Sequence, residues 1–337
     1  MTRLLISGLG SIGRRHLSNL RQLGCDDLVL HRTLKSSLPD EAFEGLPIER
    51  DLEKALEEFR PEVVLVTNPT ANHLDVAIPA ARAGSNLFIE KPISNSMDRM
   101  AELETALAAG GGKALIGYHF RYSPGLRFAR NLLDEGAIGK PIQARVYWGE
   151  YLPDWHPWED YRNSYSALAD LGGGVVLTLS HPFDYLRWLF GEVDEVLGTT
   201  GNSGSLELEV EDHASAVLTM ANGTLASVQL DYLGKPPTHY FEVTGSDGSL
   251  RWNAINDRVQ WWREKADECQ QQDPPSDFER NSMFLDEMRH LLAVEAGEEE
   301  PLCTVRDGIQ ALEIALAIHQ SALDKANVKL SPIGVGA

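Results

Sequence analysis

The sequence predicts an α/β protein of two domains, a doubly wound parallel sheet followed by an α+β domain built on an open, mostly antiparallel sheet. Three observations carry that reading. Short apolar runs alternate with helical patterns through about the first 120 residues, and a glycine-spaced turn, Gly8, Gly10 and Gly13, directly follows the first run. After Tyr122 the rhythm gives way to alternating segments punctuated by Asn-Gly and Asp-Gly pairs. A length of 337 residues fits two domains of roughly 150 residues each, the first expected over 1–121 and the second, for substrate binding and oligomerisation, over 122–337.

The runs RLLISG, LVLHR, VVLVTN, NLFIEK and ALIGYHF read in order as the strands of the first sheet. Between them, SIGRRHLSNLRQLG, DLEKALEEFRPE and NHLDVAIPAARAG have helical apolar spacing and stop at Gly or Pro. In the second half GKPIQARVYWGEYL is strand-like, and DLGGGVVLTLSHPFDYLRWLFG reads as one helix begun at its glycines. DHASAVLTM and TLASVQLDYL flank an Asn-Gly pair, and HYFEVTG and SLRWN flank an Asp-Gly pair, so both couples predict hairpins, with helices on one face of their sheet. Two helical stretches, FERNSMFLDEMRHLLAVEAG and TVRDGIQALEIALAIHQSALDKA, close the chain, and the acidic run Glu298 to Glu300 is expected as a solvated loop.

Composition narrows the function. Thirty Lys and Arg against fifty Asp and Glu leave a net charge of −20, which repels phosphate polyanions and anionic lipid and disfavours nucleic-acid and membrane-surface roles. The three cysteines, Cys25, Cys269 and Cys303, are far apart and form no ligand cluster, so neither a disulfide framework nor a metal site is indicated. No apolar run reaches the length of a membrane span, and no signal-peptide pattern opens the chain. A reducing, cytoplasmic setting is expected.

The glycine turn has the strand-then-helix context of a dinucleotide fingerprint. Gly8 permits the tight turn, Gly10 admits a pyrophosphate, and Gly13 lets helix pack on strand, with Ser11 and Ile12 opening the helix whose free N–H groups face an anion. The acid that would grip an adenosine ribose diol at the end of the second strand is absent. That strand ends in His31, Arg32 and Thr33, and residues 1–36 hold six cations (Arg3, Arg14, Arg15, Arg21, Arg32, Lys35) against two acids. A guanidinium at this corner pairs bidentately with a 2′-phosphate, so NADP is favoured over NAD. The alternative is that Arg32 stacks on adenine and either cofactor serves.

The stretch VVLVTNPTANHLDVAIPAARAGSNLFIEKPIS, with the N-terminal glycines, resembles the Gfo/Idh/MocA oxidoreductases, the glucose-fructose oxidoreductase and inositol dehydrogenase family. Glu90-Lys91-Pro92 is its most specific piece, preceded by the Asn68-Pro69-Thr70 loop and His73 and followed by a GGG…H..D pattern in the second half. The resemblance implies a Rossmann domain, an open-sheet second domain, and a lysine and a histidine at the nicotinamide. Lys91 is the lysine; Pro92 biases it toward extended backbone at the carboxyl end of a strand, where α/β ligands bind, and a cis Lys91–Pro92 bond suits the fixed turn wanted there.

His181 is the corresponding histidine, titrating near neutrality and so suited to general-base work on a hydroxyl. In a helix begun at Gly172, Gly173 and Gly174, Thr178, His181 and Asp184 or Tyr185 share a face. Where family members carry an aspartate a turn before the histidine this chain has Thr178, and Asp184 is expected to supply the missing charge. Tyr118, His119, Arg121 and Tyr122 are expected near the substrate. Trp148, Trp155 and Trp158, among Asp154, His156, Tyr161 and Arg162, suit either a stacked carbohydrate or a loop packed on the sheet. His16, His213, His239, His290 and His319 are read as surface or core histidines.

These readings converge on an NAD(P)-dependent dehydrogenase of a sugar, nucleotide sugar or polyol, assembled as a homodimer or homotetramer. A nucleotide sensor that binds partners without turnover, and a cofactor-retaining glycosidase, are the alternatives. Retention of both Lys91 and His181 argues for the dehydrogenase.

Overall fold

A computed structural model describes residues 2–33, 43, 45–263 and 268–330. The chain divides into two compact units, Met1–His119 with Glu279–Ile309, and Phe120–Phe278 with Gln310–Ala337. The expected assignment of all of 122–337 to the second domain is thereby corrected, because a C-terminal segment returns to the first unit. The returning helix, α8 (Arg280–Glu295), packs on α1 (Ser11–Gln22), with Asn281 Nδ2 donating to Asn19 Oδ1 at 2.9 Å.

The first unit is a six-stranded parallel sheet ordered β3-β2-β1-β4-β5-β6. Its strands are β1 (Leu4–Ser7), β2 (Leu28–His31), β3 (Ile48–Glu49), β4 (Val63–Val66), β5 (Asn86–Glu90) and β6 (Ala114–Gly117). β1, β2, β4 and β6 are buried at every residue, which is why the sequence reads as unbroken apolar runs instead of alternation. Helices α1, α2 (Leu52–Phe59), α3 (His73–Arg82) and α4 (Met100–Gly110) connect them. Strand order reverses between β1 and β4, so the loops at their carboxyl ends, Gly8–Gly10 and Asn68–Pro69, border the crevice where open α/β sheets bind ligands.

The second unit holds a nine-stranded sheet ordered β14-β13-β12-β11-β7-β10-β9-β8-β15. These are β7 (Pro141–Gly149), β8 (Val193–Gly201), β9 (His213–Met220), β10 (Leu225–Asp231), β11 (Thr238–Gly245), β12 (Gly248–Asn253), β13 (Arg258–Arg263), β14 (Gln270–Gln272) and β15 (Val328–Lys329). Every pairing is antiparallel except β7 with β10. The hairpins expected at Asn222-Gly223 and Asp247-Gly248 join β9 to β10 and β11 to β12. Helix α5 (Pro124–Asp134) packs on β12 and β13, and α9 (Val305–Asp324) meets β8 where Ile318 closes on Gly198.

One expectation for this half is corrected. The glycine-initiated segment is two helices, α6 (Val175–Thr178) and α7 (His181–Phe190), because the chain turns at Leu179 and Pro182 brings no N–H to continue the ladder. Thr178 and His181 therefore do not lie on one helical face. In β10, Ala226, Val228 and Leu230 turn inward and Ser227 and Gln229 turn to the open face of the sheet. One row on that face reads Leu197, Val217, Ser227, Arg145, Glu242, Arg251 across five pairings, with Glu242 bonded by both arginines.

Candidate active site

The glycine turn at the start of α1 is built around three contacts. Gly8 has φ +96°, and a Cβ there would stand 2.5 Å from Asn68 N. A Cβ on Gly13 would stand 2.0 Å from Gly8 O, so only glycine lets the helix close on the turn. Thr67 Oγ1 pins the same turn from just after β4, its hydroxyl shared between Ser7 O at 3.0 Å and Gly8 O at 2.6 Å. Before Gly10, by contrast, there is open space within 4 Å. Gly10 caps α1 without a side-chain bond, no acid stands in the first turn, and Asn68 Oδ1 is shielded with no hydrogen-bond partner among the described residues. This open cradle, N–H groups at a helix start and an unspent acceptor fit a dinucleotide pyrophosphate and its neighbouring groups.

At the end of β2, Ser7 Oγ meets His31 Nδ1 at 2.8 Å, and burial lowers the His31 pKa. Arg32, only 3% exposed, lays its guanidinium carbon 4.8 Å over the Phe43 ring, and Thr33 is exposed. The expected cationic patch is divided in the fold. Arg3 is bonded to Asp27 at 2.9 Å, Arg15 lies 4.5 Å over Phe284, and Lys35 falls outside the described residues.

Lys91 directly follows β5, and the Lys91–Pro92 bond is cis. Its backbone N–H donates to Glu90 Oε2 at 3.1 Å, and Glu90 Oε1 accepts from His16 Nε2 at 2.8 Å. The next carbonyl, of Pro92, faces His73 Nδ1 at 3.0 Å, while His73 Nε2 faces Asn68 O at 2.9 Å. Burial lowers the His73 pKa, and a neutral ring donates to one of these two carbonyls at a time. Donation from Nδ1 ties the start of α3 to the loop after β5, and donation from Nε2 holds the loop after β4. His16, read from sequence as a surface or core histidine, belongs to this arrangement; the signal was its place one turn after Gly13. His119 is stacked at 4.2 Å on Phe284, and burial, then Arg280, Lys91, Arg15 and His16, hold its imidazole well below the usual range.

In the second unit His181 is the first residue of α7, 1% exposed, with its ring 4.8 Å from Phe120 and 5.7 Å from Trp148. Both Asp184 oxygens accept from Arg121, at 2.6 and 3.0 Å, in a bidentate pair whose side chains are 2% and 3% exposed. The charge expected to support His181 is therefore compensated by a guanidinium, and Arg121 is committed to the same pair. Thr178 is also buried, beside the Tyr232 phenol, whose hydroxyl donates to Ser166 O at 3.3 Å. Tyr118 is fully buried.

The three expected tryptophans take different places. Trp148 is a core ring stacked 4.3 Å from His239, whose Nε2 meets Tyr185 Oη at 3.2 Å. Trp155 packs edge-on to Tyr232 at 5.6 Å, and Trp158 is 71% exposed beside His156. Among the described residues no cluster of three metal-ligating side chains occurs, and no helix is long and apolar enough to cross a membrane.

A parallel sheet with a pyrophosphate cradle at its switch point, and a lysine fixed at the end of a neighbouring strand, define a dinucleotide-dependent oxidoreductase. The chain belongs to the Gfo/Idh/MocA oxidoreductase family. Residues 2–118 match its oxidoreductase domain with NAD-binding Rossmann fold, and residues 126–251 match the GFO/IDH/MocA C-terminal domain. The chain is 28% identical to the oxidoreductase YrbE of Bacillus subtilis, covering 95% of each. It is 27% identical to myo-inositol 2-dehydrogenase of Thermotoga maritima, covering 98% of this chain and 99% of that one. The crystal structure of myo-inositol 2-dehydrogenase from Lactobacillus plantarum superposes with a TM-score of 0.82 at 25% identity, covering 98% and 99% of the two chains.

Proposed function

We propose that the protein is an NAD(P)-dependent dehydrogenase of a sugar, nucleotide sugar or polyol, in which Lys91 and His181 act on one substrate hydroxyl. The observation that carries the reading is the fixing of the Lys91 N–H by Glu90, with His73 facing the carbonyl of Pro92 one residue on, in the same unit as the glycine cradle. When bound, a nicotinamide dinucleotide supplies the redox chemistry, taking a hydride from carbon. Gly8, Gly10, Ser11, Ile12 and Gly13 would hold its pyrophosphate, with Asn68, Pro69 and His73 beside the nicotinamide half. In the oxidative direction His181 takes the hydroxyl proton, while the Lys91 ammonium hydrogen-bonds the same oxygen and stabilises its developing charge. Trp155 and Trp158 offer aromatic faces to a carbohydrate.

The preference for NADP rests on Arg32 standing where a diol-binding acid would stand; its stacking on Phe43 holds a cation at that corner. Arg32→Ala should weaken NADP much more than NAD, and equal losses, or a wild-type preference for NAD, would remove the phosphate role. Assembly through the open face of the second sheet is supported by the exposed strip Leu197, Val217 and Leu225 beside the Arg145–Glu242–Arg251 row. Sedimentation at the 37.2 kDa of one chain at micromolar protein would count against it.

A thermal-shift and absorbance screen with NAD, NADP and a panel of sugars and polyols tests the function. A ligand at 100 times its dissociation constant adds about 2.7 kcal/mol of stability. Stabilisation by a dinucleotide with substrate-dependent change at the nicotinamide band is expected. Stabilisation without turnover on any substrate would favour the sensor, and bound cofactor with sugar cleavage but no net absorbance change would favour the glycosidase.

A further inference from the structure

Beside Glu90 the first unit buries a carboxyl group that the mechanism does not use. Glu287, on the inner face of α8 with Met283, Phe284, Met288 and Leu291, is 0% exposed, and neither of its oxygens has a hydrogen-bond partner among the described residues. Its electrostatic neighbour is Glu90, itself buried and already accepting two N–H donors, from His16 and from the Lys91 backbone. The other titratable or charged groups around this pair are Arg15 and His16 on α1, Lys91 on the loop after β5, His119 after β6, and Arg280 on α8.

An ionised carboxylate with no donor in a site without water access is among the costliest groups a core can hold, whereas a protonated one is merely a buried polar group. Two neighbouring buried carboxyls also resist double ionisation. Glu90, bonded by two donors, is the one arranged as an anion. We propose that Glu90 is a positioning residue for Lys91 and that Glu287 is its neutral, proton-holding neighbour, so that the buried pair carries one negative charge.

This rests on the reading of Lys91 as the group that contacts the substrate oxygen. The single charge then has two consequences. It anchors the strand end that carries Lys91, through a bond to the Lys91 N–H and a tie to His16 on the cofactor-binding helix. It also keeps the second carboxyl of the pair from adding another negative charge behind the strand end that carries Lys91, where it would oppose the charge developing on the substrate oxygen. Burial, reinforced by the Glu90 charge, raises the Glu287 pKa well above the ordinary carboxyl range, in agreement with that arrangement.

The test combines a readout free of turnover with a kinetic one. Glu287→Gln keeps the shape of a protonated acid and removes the proton equilibrium. The unfolded wild-type chain ionises Glu287 above about pH 4.3 while the folded chain keeps it protonated, so wild-type stability falls relative to the variant as pH rises, by about tenfold in the folded-to-unfolded ratio per pH unit until the folded pKa is reached. Denaturant titrations of both proteins between pH 5 and about pH 8 should show that divergence, and infrared difference spectra at neutral pH should show a protonated-carboxyl band lost in Glu287→Gln. Parallel stability curves, or no such band in the wild type, would overturn the proposal. Glu90→Gln should lower kcat on the order of 10²-fold, as misplacing a reacting group does, with cofactor Kd little changed, and Glu287→Gln should extend the kcat–pH profile on its alkaline side. An unchanged kcat in Glu90→Gln, in an enzyme where Lys91→Ala abolishes turnover, would refute the positioning role. Retained turnover in Lys91→Ala would instead sink the functional reading and leave the stability and infrared results standing.

Discussion

Substitution of the glycine turn by alanine separates a packing role from a ligand role within six residues. Gly13→Ala puts a methyl carbon 2.0 Å from Gly8 O and 2.7 Å from Thr67 Oγ1, both well inside ordinary contact, so β1 and α1 must part. Such overpacking costs about 1–3 kcal/mol, and because the backbone carbonyl it strikes is itself pinned by Thr67 the upper end is expected, a Tm lower by roughly 6–10 °C. Gly10→Ala meets nothing within 4 Å, and its φ of −66° is open to alanine. A poorer N-cap offsets reduced chain entropy in the unfolded state, leaving stability within about 0.5 kcal/mol of wild type. The methyl would nevertheless occupy the approach to the cradle and weaken NAD(H) at least tenfold, about 1.4 kcal/mol. Apo-protein melting and calorimetric cofactor titration read the two effects independently. Equal destabilisation by Gly10→Ala and Gly13→Ala, or undiminished NAD(H) binding to a folded Gly10→Ala, would refute this division of labour.

Asp184→Asn should destabilise by about 3–5 kcal/mol in urea unfolding, because it leaves Arg121 buried opposite a neutral partner. The double replacement Arg121→Met with Asp184→Leu should recover much of that loss in the same assay. His119 governs a pH effect. The unfolded chain takes up a proton near pH 6.5 that the buried folded imidazole, beside Arg280, Lys91 and Arg15, refuses. Stability contributed by His119 is therefore complete above about pH 6.5 and falls as pH drops toward about 5; His119→Gln should flatten that limb in melts taken across the range.

The first sheet was legible in the sequence because a strand buried on both faces writes itself as an unbroken apolar run, and the roles of Gly8, Gly10 and Gly13 followed from the fingerprint. β3, only Ile48 and Glu49, is too short to leave a period. The return of α8 to the first unit left no mark, because the acid Glu287 interrupts its buried stripe and nothing local says which sheet that stripe meets. The break between α6 and α7 was marked by Pro182, but the 3.6-residue spacing of Thr178, His181 and Asp184 outweighed it. Partners far apart in sequence were beyond reach. His16 with Glu90 and Arg121 with Asp184 are 74 and 63 residues apart, so Asp184 read as support for His181 when its charge is met by Arg121. The parallel pairing of β7 with β10 was hidden for the same reason, since strand order is set by packing and not by local pattern.

The central claim is that Lys91 acts on the reacting oxygen in the transition state and contributes little to cofactor affinity. Single-turnover hydride transfer by Lys91→Ala, followed by nicotinamide absorbance on a substrate found by the screen, tests it most directly. The account predicts a rate lower by about 10²- to 10³-fold, the usual loss for one oxyanion-stabilising donor, with NAD(H) Kd within roughly threefold of wild type. Adding His181→Ala should make little further difference, because both residues serve one oxygen. A Lys91→Ala protein that transfers hydride at near the wild-type rate would contradict the account.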